Sequence, residues 1–241
     1  MNRKQRRSAT KRGPARVSPA ASPVAVLARA AEHLRSGQVD AAETECRRVL
    51  DADPGQADAL HMMGQIALER DDTPGAATWF QKAAGQRPDG ADIHYNLGTA
   101  LMRLGRFAHA ESALRRATAL APAFAPARLN LGNCLRELGQ LDGAAEAYRQ
   151  AMAIKPDYPQ AQLNLGSTLI ELGEPLAAEA CYRDAIARHP GFAPALLNLG
   201  NLLRGRGELD EALALLNRAI ETDPSFADAH NSLGNVFSKL L

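Results

Sequence analysis

The sequence has little of what marks a catalyst, a secreted domain or a membrane protein. Of its 241 residues only three are cysteine, Cys46, Cys134 and Cys181. They are odd in number, far apart and never in a CxxC pair, which excludes a disulfide framework and fits a reducing compartment. Aromatic residues make up 5% of the chain, with a single tryptophan, so a core of large rings is excluded. No apolar stretch approaches the roughly 20 residues of a membrane-spanning helix. The formal net charge is +1, which gives no ground for specific nucleic-acid binding by the chain as a whole. No GxGxxG or P-loop leads into a helix, and neither GxSxG nor HExxH occurs. The expectation is therefore a chain with no catalytic residue, no cofactor and no metal site.

The small net charge hides an uneven distribution. Residues 1–22 hold Arg3, Lys4, Arg6, Arg7, Lys11, Arg12 and Arg16 and no acid, so a tail of +7 in a chain of +1 leaves the body at −6. Pro14, Pro19 and Pro23 interrupt any apolar run after these charges, so the segment lacks the core of a secretory signal. It reads as a disordered basic tail on a soluble, cytoplasmic protein. Two other readings stay open. The composition is shared with organelle transit peptides, and the charge suits contact with RNA or anionic lipid, although without interleaved aromatics the tail cannot read bases.

What the chain does have is apolar content of 46%, rich in alanine and leucine, and a strict period. Pro54, Pro88, Pro122, Pro156, Pro190 and Pro224 recur every 34 residues. In the same register Gly64, Gly98, Gly132, Gly166, Gly200 and Gly234 share repeat position 8, and Ala42, Ala76, Ala110, Ala144, Ala178 and Ala212 share position 20. Position 24 carries Cys46, Phe80, Leu114, Tyr148, Tyr182 and Leu216, three residues ahead of the small Val49, Ala83, Ala117, Ala151, Ala185 and Ala219. Spacings of three, four and seven are those of one helical face.

This 34-residue unit, with its Leu-Gly, Ala, large, Ala and Pro positions, resembles the tetratricopeptide repeat. The resemblance covers residues 23–241 and implies an all-α, right-handed solenoid in which each repeat supplies two antiparallel helices, A and B, around a concave inner face. The repeats fall at 23–56, 57–90, 91–124, 125–158, 159–192 and 193–226, with a seventh helix A at 227–241. Glycine inside a helix costs about 1 kcal/mol relative to alanine. Its recurrence at position 8 therefore predicts a close approach of A and B, with the alanines of position 20 opposite. Proline at position 32 ends helix B, and a glycine or acid at position 15 ends helix A.

Both ends depart from the pattern. The first repeat has Arg29 and Ala30 where the others have a large residue and glycine, as suits a terminal repeat. Leu233, Val236, Phe237, Leu240 and Leu241 form an apolar stripe on the last helix, with no helix B to cover it. Either the chain is a fragment of a longer protein or this helix docks on a partner.

Positions 2, 5, 6, 9, 12 and 13 of helix A share one helical face, and the resemblance implies that this face lines the concave groove. Position 6 is Asn96, Asn130, Asn164 and Asn198, and position 9 adds Asn133, Asn201 and Asn235 in a row with Thr99 and Ser167. An amide both donates and accepts, so such a row can grip the backbone of an extended peptide with little regard to its side chains. The row resembles the asparagine ladder of O-linked N-acetylglucosamine transferases. Tyr95, Arg103, Arg136 and Arg204 would add aromatic and charged anchors. The histidines His33, His61, His94, His109, His189 and His230 share no common face. His94 and His230, both at position 4, read as packing residues between A and B, the cysteines as small core residues, and Trp79 as a neighbour of a core Phe80.

The expected function is a non-catalytic scaffold that holds an extended segment of a protein partner in its groove. The opening Met1-Asn2-Arg3-Lys4-Gln5-Arg6-Arg7 resembles the start of bacterial tetratricopeptide proteins, some of which continue into glycosyltransferase, methyltransferase or sulfotransferase domains. The alternative is thus a substrate-recruiting region whose catalytic domain lies on another segment or chain.

Overall fold

A computed structural model describes residues 22–240. The basic tail expected at 1–22, apart from Ser22, and the side chains of Leu240 and Leu241 lie outside the described residues. Among these residues the backbone forms thirteen α-helices and no strand. They come as pairs: α1 (Pro23–Arg35) with α2 (Val39–Ala52), α3 (Ala57–Glu69) with α4 (Thr73–Gln86), α5 (Ala91–Arg103) with α6 (Phe107–Leu120), α7 (Ala125–Glu137) with α8 (Leu141–Ile154), α9 (Pro159–Glu171) with α10 (Pro175–Arg188), and α11 (Ala193–Arg206) with α12 (Leu209–Thr222). A final helix, α13 (Ala227–Leu240), stands without a partner of its own.

Local chemistry sets these boundaries. A proline after the second helix of each pair forces its predecessor out of the helical region. Accordingly Asp53, Arg87, Ala121, Lys155, His189 and Asp223 are all extended, with φ between −141° and −124°. The turn between the two helices needs a left-handed residue. Glycine fills it at Gly37, Gly105, Gly139, Gly173 and Gly207, while Asp71 adopts φ 58° in the second pair. No Cβ clash bears on Gly139, where nothing lies within 4 Å, so the demand there is one of backbone conformation alone.

Each second helix packs on its own first helix and on the first helix of the next pair, and first helices also touch one another at α1–α3, α5–α7, α7–α9, α9–α11 and α11–α13. Second helices make no comparable contact with each other. The array therefore curves, with the first helices on the inner, concave wall and the second helices outside. Its core is built from small residues at fixed positions: Ala42, Ala76, Ala110, Ala144, Ala178 and Ala212 are fully buried, as are Phe80, Leu114, Tyr148 and Leu216.

The close approach at position 8 differs in detail from the sequence expectation. From Gly64 to Gly200 the nearest atoms to the notch belong to the large residue of position 24, and at Gly98 and Gly200 the backbone of the position 20 alanine also lies close, with Ala110 O at 3.4 Å and Ala212 O at 3.5 Å. A Cβ on Gly132 would lie 2.5 Å from Tyr148 Cε1, and one on Gly98 would lie 2.6 Å from Leu114 Cγ. Gly234 on α13 has nothing within 4 Å. On that last helix Val236 is buried, Leu233 is half-buried and Phe237 is 51% exposed.

Candidate functional site

The asparagines of position 6 form a ladder, and much of the ladder is tied to itself. Asn130 Nδ2 donates to Thr99 Oγ1 (3.1 Å), Asn164 Nδ2 to Asn133 Oδ1 (2.7 Å) and Asn198 Nδ2 to Ser167 Oγ (3.3 Å). Each rung thus joins position 6 of one first helix to position 9 of the preceding one. Tyr148 and Tyr182 extend the network from the second helices: Tyr148 Oη donates to Asn133 Oδ1 (2.8 Å), and Tyr182 Oη lies 3.2 Å from Ser167 Oγ. Burial pushes the pKa of both phenols up, so they stay protonated donors.

The first rung uses a histidine. Asn96 Nδ2 lies 2.7 Å from His61 Nε2. With the amide donating, the ring accepts on Nε2 and carries its proton on Nδ1, 3.6 Å from Asp92 Oδ2. Burial lowers the His61 pKa from its usual 6.5, with Arg87 adding to the effect and Asp92 and Asp58 opposing it. This partner was not foreseen from the sequence. The available signal was a histidine at position 5 of the repeat that precedes the first asparagine of the row.

Every rung consumes one amide N–H and leaves the asparagine carbonyl oxygen of position 6 without a protein donor among the described residues. Each amide thus keeps its carbonyl oxygen as an acceptor and its second N–H as a donor. Between the rungs lie three clefts with the same repeat positions in their walls. One of about 460 Å³ is bounded by Leu34, Met62, Gln65, Leu68 and Asn96. The next, of about 540 Å³, has Met102, Arg103, Asn133, Arg136 and Asn164. The third, of about 520 Å³, has Ser167, Ile170, Asn198, Asn201 and Leu202. Each combines amides with an apolar wall.

The remaining sequence-selected residues divide. Arg103 is exposed in the middle cleft. Arg136 faces the same cleft but is committed to Glu171 of the next pair, at 2.8 Å from Nε. Arg204 is half-buried and its Nε has no hydrogen-bond partner among the described residues. Tyr95 is half-buried and packs on Phe124, with ring centroids 4.8 Å apart. Its position 5 equivalents Leu129, Leu163 and Leu197 are buried, so position 5 belongs largely to the packing between first helices rather than to the open groove.

Position 4 is buried at Val26, Leu60 and Leu196, as expected of a packing site, but its polar occupants His94, Arg128 and His230 bond to backbone. His94 Nε2 lies 3.1 Å from the Pro88 carbonyl, Arg128 Nε donates to the Pro122 carbonyl (3.2 Å), and His230 Nε2 lies 3.0 Å from the Pro224 carbonyl. A polar residue there ties the first helix to the proline turn that precedes it. Cys46 and Cys134 are buried, and burial raises both thiols to about 11. They are thus poor nucleophiles at neutral pH. Trp79 is half-buried beside the fully buried Phe80, with Lys82 Nζ 4.6 Å from its ring centroid.

Tetratricopeptide repeat models match residues 27–91 and 95–159, and then 159–191, 181–214 and 200–240. The chain belongs to the tetratricopeptide repeat family. Among solved structures it is similar to MamA, at 26% identity over 67% of this chain and 94% of MamA, with a TM-score of 0.64. PilF of Pseudomonas aeruginosa aligns at 22% identity over 88% of this chain and 97% of PilF, with a TM-score of 0.73. YrrB, described as a tetratricopeptide protein with an unusual peptide-binding site, aligns at 18% identity over 81% of this chain and 98% of YrrB, with a TM-score of 0.65. The last two likenesses are of fold. Comparison with curated proteins returns no match. The likeness to O-linked N-acetylglucosamine transferases rests on the asparagine row alone. Among the described residues no helix is long and apolar enough to cross a membrane, and no cluster of metal-ligating side chains is present.

Proposed function

We propose that this tetratricopeptide protein is a non-catalytic scaffold whose concave groove holds an extended segment of a protein partner. The observation that carries this reading is the row of asparagine carbonyls at Asn96, Asn130, Asn164 and Asn198, each held in place by a rung to the preceding repeat. A fixed acceptor loses little entropy on binding, and peptide N–H groups are its natural donors.

The groove also selects against one kind of ligand. No lysine or arginine stands at positions 2, 5, 6 or 9 in any of the first helices. A carboxylate set on this floor would lose water without gaining a cation. The ligand is accordingly an internal, largely uncharged stretch, with Arg103, Arg204 and the Arg136–Glu171 pair at the rim setting its orientation. The clefts at Leu34–Leu68, Met102 and Ile170 receive apolar side chains. The transferase-recruiting alternative rests on the ladder, the basic opening and the apolar last helix, and no further observation favours it.

Photo-crosslinking tests the location. With a photoreactive side chain at Met102 or Ile170, partner segments are captured, whereas the same group at the outward-facing Arg149 or Ala180 captures none of them. Capture of the same partners from the outer positions alone contradicts the reading.

A further inference from the structure

The outer face carries a cleft that the groove does not explain. It lies between α4, α5 and α6, encloses about 700 Å³, and has Leu97 and Leu101 in its floor with His94, Arg106, His109 and Arg116 around it. None of the residues lining it is acidic, although the body of the chain carries a charge of −6. Most arginines of the outer surface are matched by a neighbouring acid, as in Arg115–Glu111 and Arg183–Glu179. Arg106 and Arg116 have no acidic partner among the described residues. Arg116 spends Nε and Nη2 on the Pro88 carbonyl, at 3.4 and 3.3 Å.

The full set of four basic residues occurs in the third repeat alone. The four basic residues occupy positions 4, 16, 19 and 26. The same positions hold Val26, Gln38, Ala41 and Arg48 in the first repeat, and Leu60, Asp72, Gly75 and Lys82 in the second. In the fourth they hold Arg128, Gln140, Gly143 and Gln150, in the fifth Gln162, Glu174, Ala177 and Asp184, and in the sixth Leu196, Glu208, Glu211 and Arg218. No other repeat carries more than one basic residue across the set. His94 and Arg116 tie the proline turn through the Pro88 carbonyl, as Arg128, His230 and Arg218 do in other repeats, whereas Arg106 and His109 have no such bond among the described residues and no basic counterpart in the other repeats. Arg106 and Arg116 thus bring two guanidinium charges to a cleft with no carboxylate in its lining, an arrangement that an anion relieves.

We propose that this cleft is a second docking site, which takes a short acidic segment of a partner protein. Its carboxylates pair with Arg106, His109 and the free edge of Arg116, and an apolar side chain beside them rests on Leu97 and Leu101. Charge complementarity and the apolar floor together select this occupant. The walls offer no phenylalanine, tyrosine or tryptophan ring as a stacking platform for bases, an inorganic anion would leave the floor unused, and the chain's own tail at residues 1–22 is basic.

The test is fluorescence titration of the full chain with a short labelled peptide of alternating glutamate and leucine, its lysine–leucine counterpart and inorganic phosphate serving as competitors. The expected result is binding that weakens at least about tenfold in the Arg106→Glu/His109→Glu chain and weakens with added salt. Both substitutions are at exposed positions, and unchanged helical circular dichroism verifies the fold. An Asn130→Ala/Asn164→Ala chain binds this peptide as the wild type does, which separates the cleft from the groove. Equal binding by the charge-reversed chain, loss of binding in the asparagine variant, or equal affinity for the lysine peptide overturns the proposal. Displacement of the peptide by phosphate at matching concentration overturns it too, since the cleft would then be a site for small oxyanions.

Discussion

His61 sits where the groove's first rung meets a titratable ring, mostly buried at 12% side-chain exposure. Burial disfavours its charged form, so the unfolded chain takes up a proton that the folded chain resists. The stability this residue contributes is complete above the usual histidine pKa of about 6.5 and is lost as pH falls through the lowered value. Protonation also turns the Nε2 acceptor into a donor facing the Asn96 amide, so the amide must rotate. An NMR titration of the His61 ring is expected to give a midpoint below 6.5, accompanied by a shift of the Asn96 side-chain amide signals. A midpoint at or above 6.5 contradicts the burial and the rung together. The sequence could show that Asn96 belongs to a polar row, because the register alone places it. It could not show that His61 completes the rung, since that contact joins residues 35 apart in sequence and depends on how two repeats stack.

Between paired helices, stability depends on how position 24 enters the notch at position 8. A methyl group added at Gly132 meets the Tyr148 ring, which is fully buried and fixed by its bond to Asn133. Gly132→Ala is expected to destabilise by about 1–3 kcal/mol in denaturant unfolding, while Gly234→Ala, with open space around it, is neutral or stabilising. Equal effects at the two sites would show that the notch is not what demands glycine. The period of 34 made the helices, turns and core positions legible, because proline, glycine and alanine each act through local backbone chemistry. The same reading placed the alanine of position 20 opposite the glycine, as holds at Gly98 and Gly200, and missed the larger residue of position 24 that lies closer still. Spacing says which residues share a face, but the rotation of one helix against another decides which of them meet.

Across the whole molecule the packing is uneven. One continuous core runs from Ala110 to Val236, whereas the N-terminal repeats hold three smaller clusters. In an array stabilised by nearest-neighbour interfaces this asymmetry predicts graded opening. Native-state hydrogen exchange should find α7 to α12 the slowest to exchange and α1, α2 and α13 the fastest. Uniform protection along the chain would mean that the repeats open as a single cooperative unit.

The central claim is that the groove reads a partner's backbone rather than its side chains, through four asparagine carbonyls locked by rungs. The most direct test takes the segment crosslinked at Met102 or Ile170 and compares its affinity with two altered versions by calorimetry. One is N-methylated at alternate backbone amides, and the other keeps every amide but has the order of its uncharged side chains shuffled. The account predicts that N-methylation weakens binding at least about tenfold, since each lost hydrogen bond is worth about 1 kcal/mol and several are removed, while shuffling changes it by no more than a few-fold. Tight binding by the methylated segment together with loss on shuffling would contradict it and show that the clefts, not the asparagine row, select the partner.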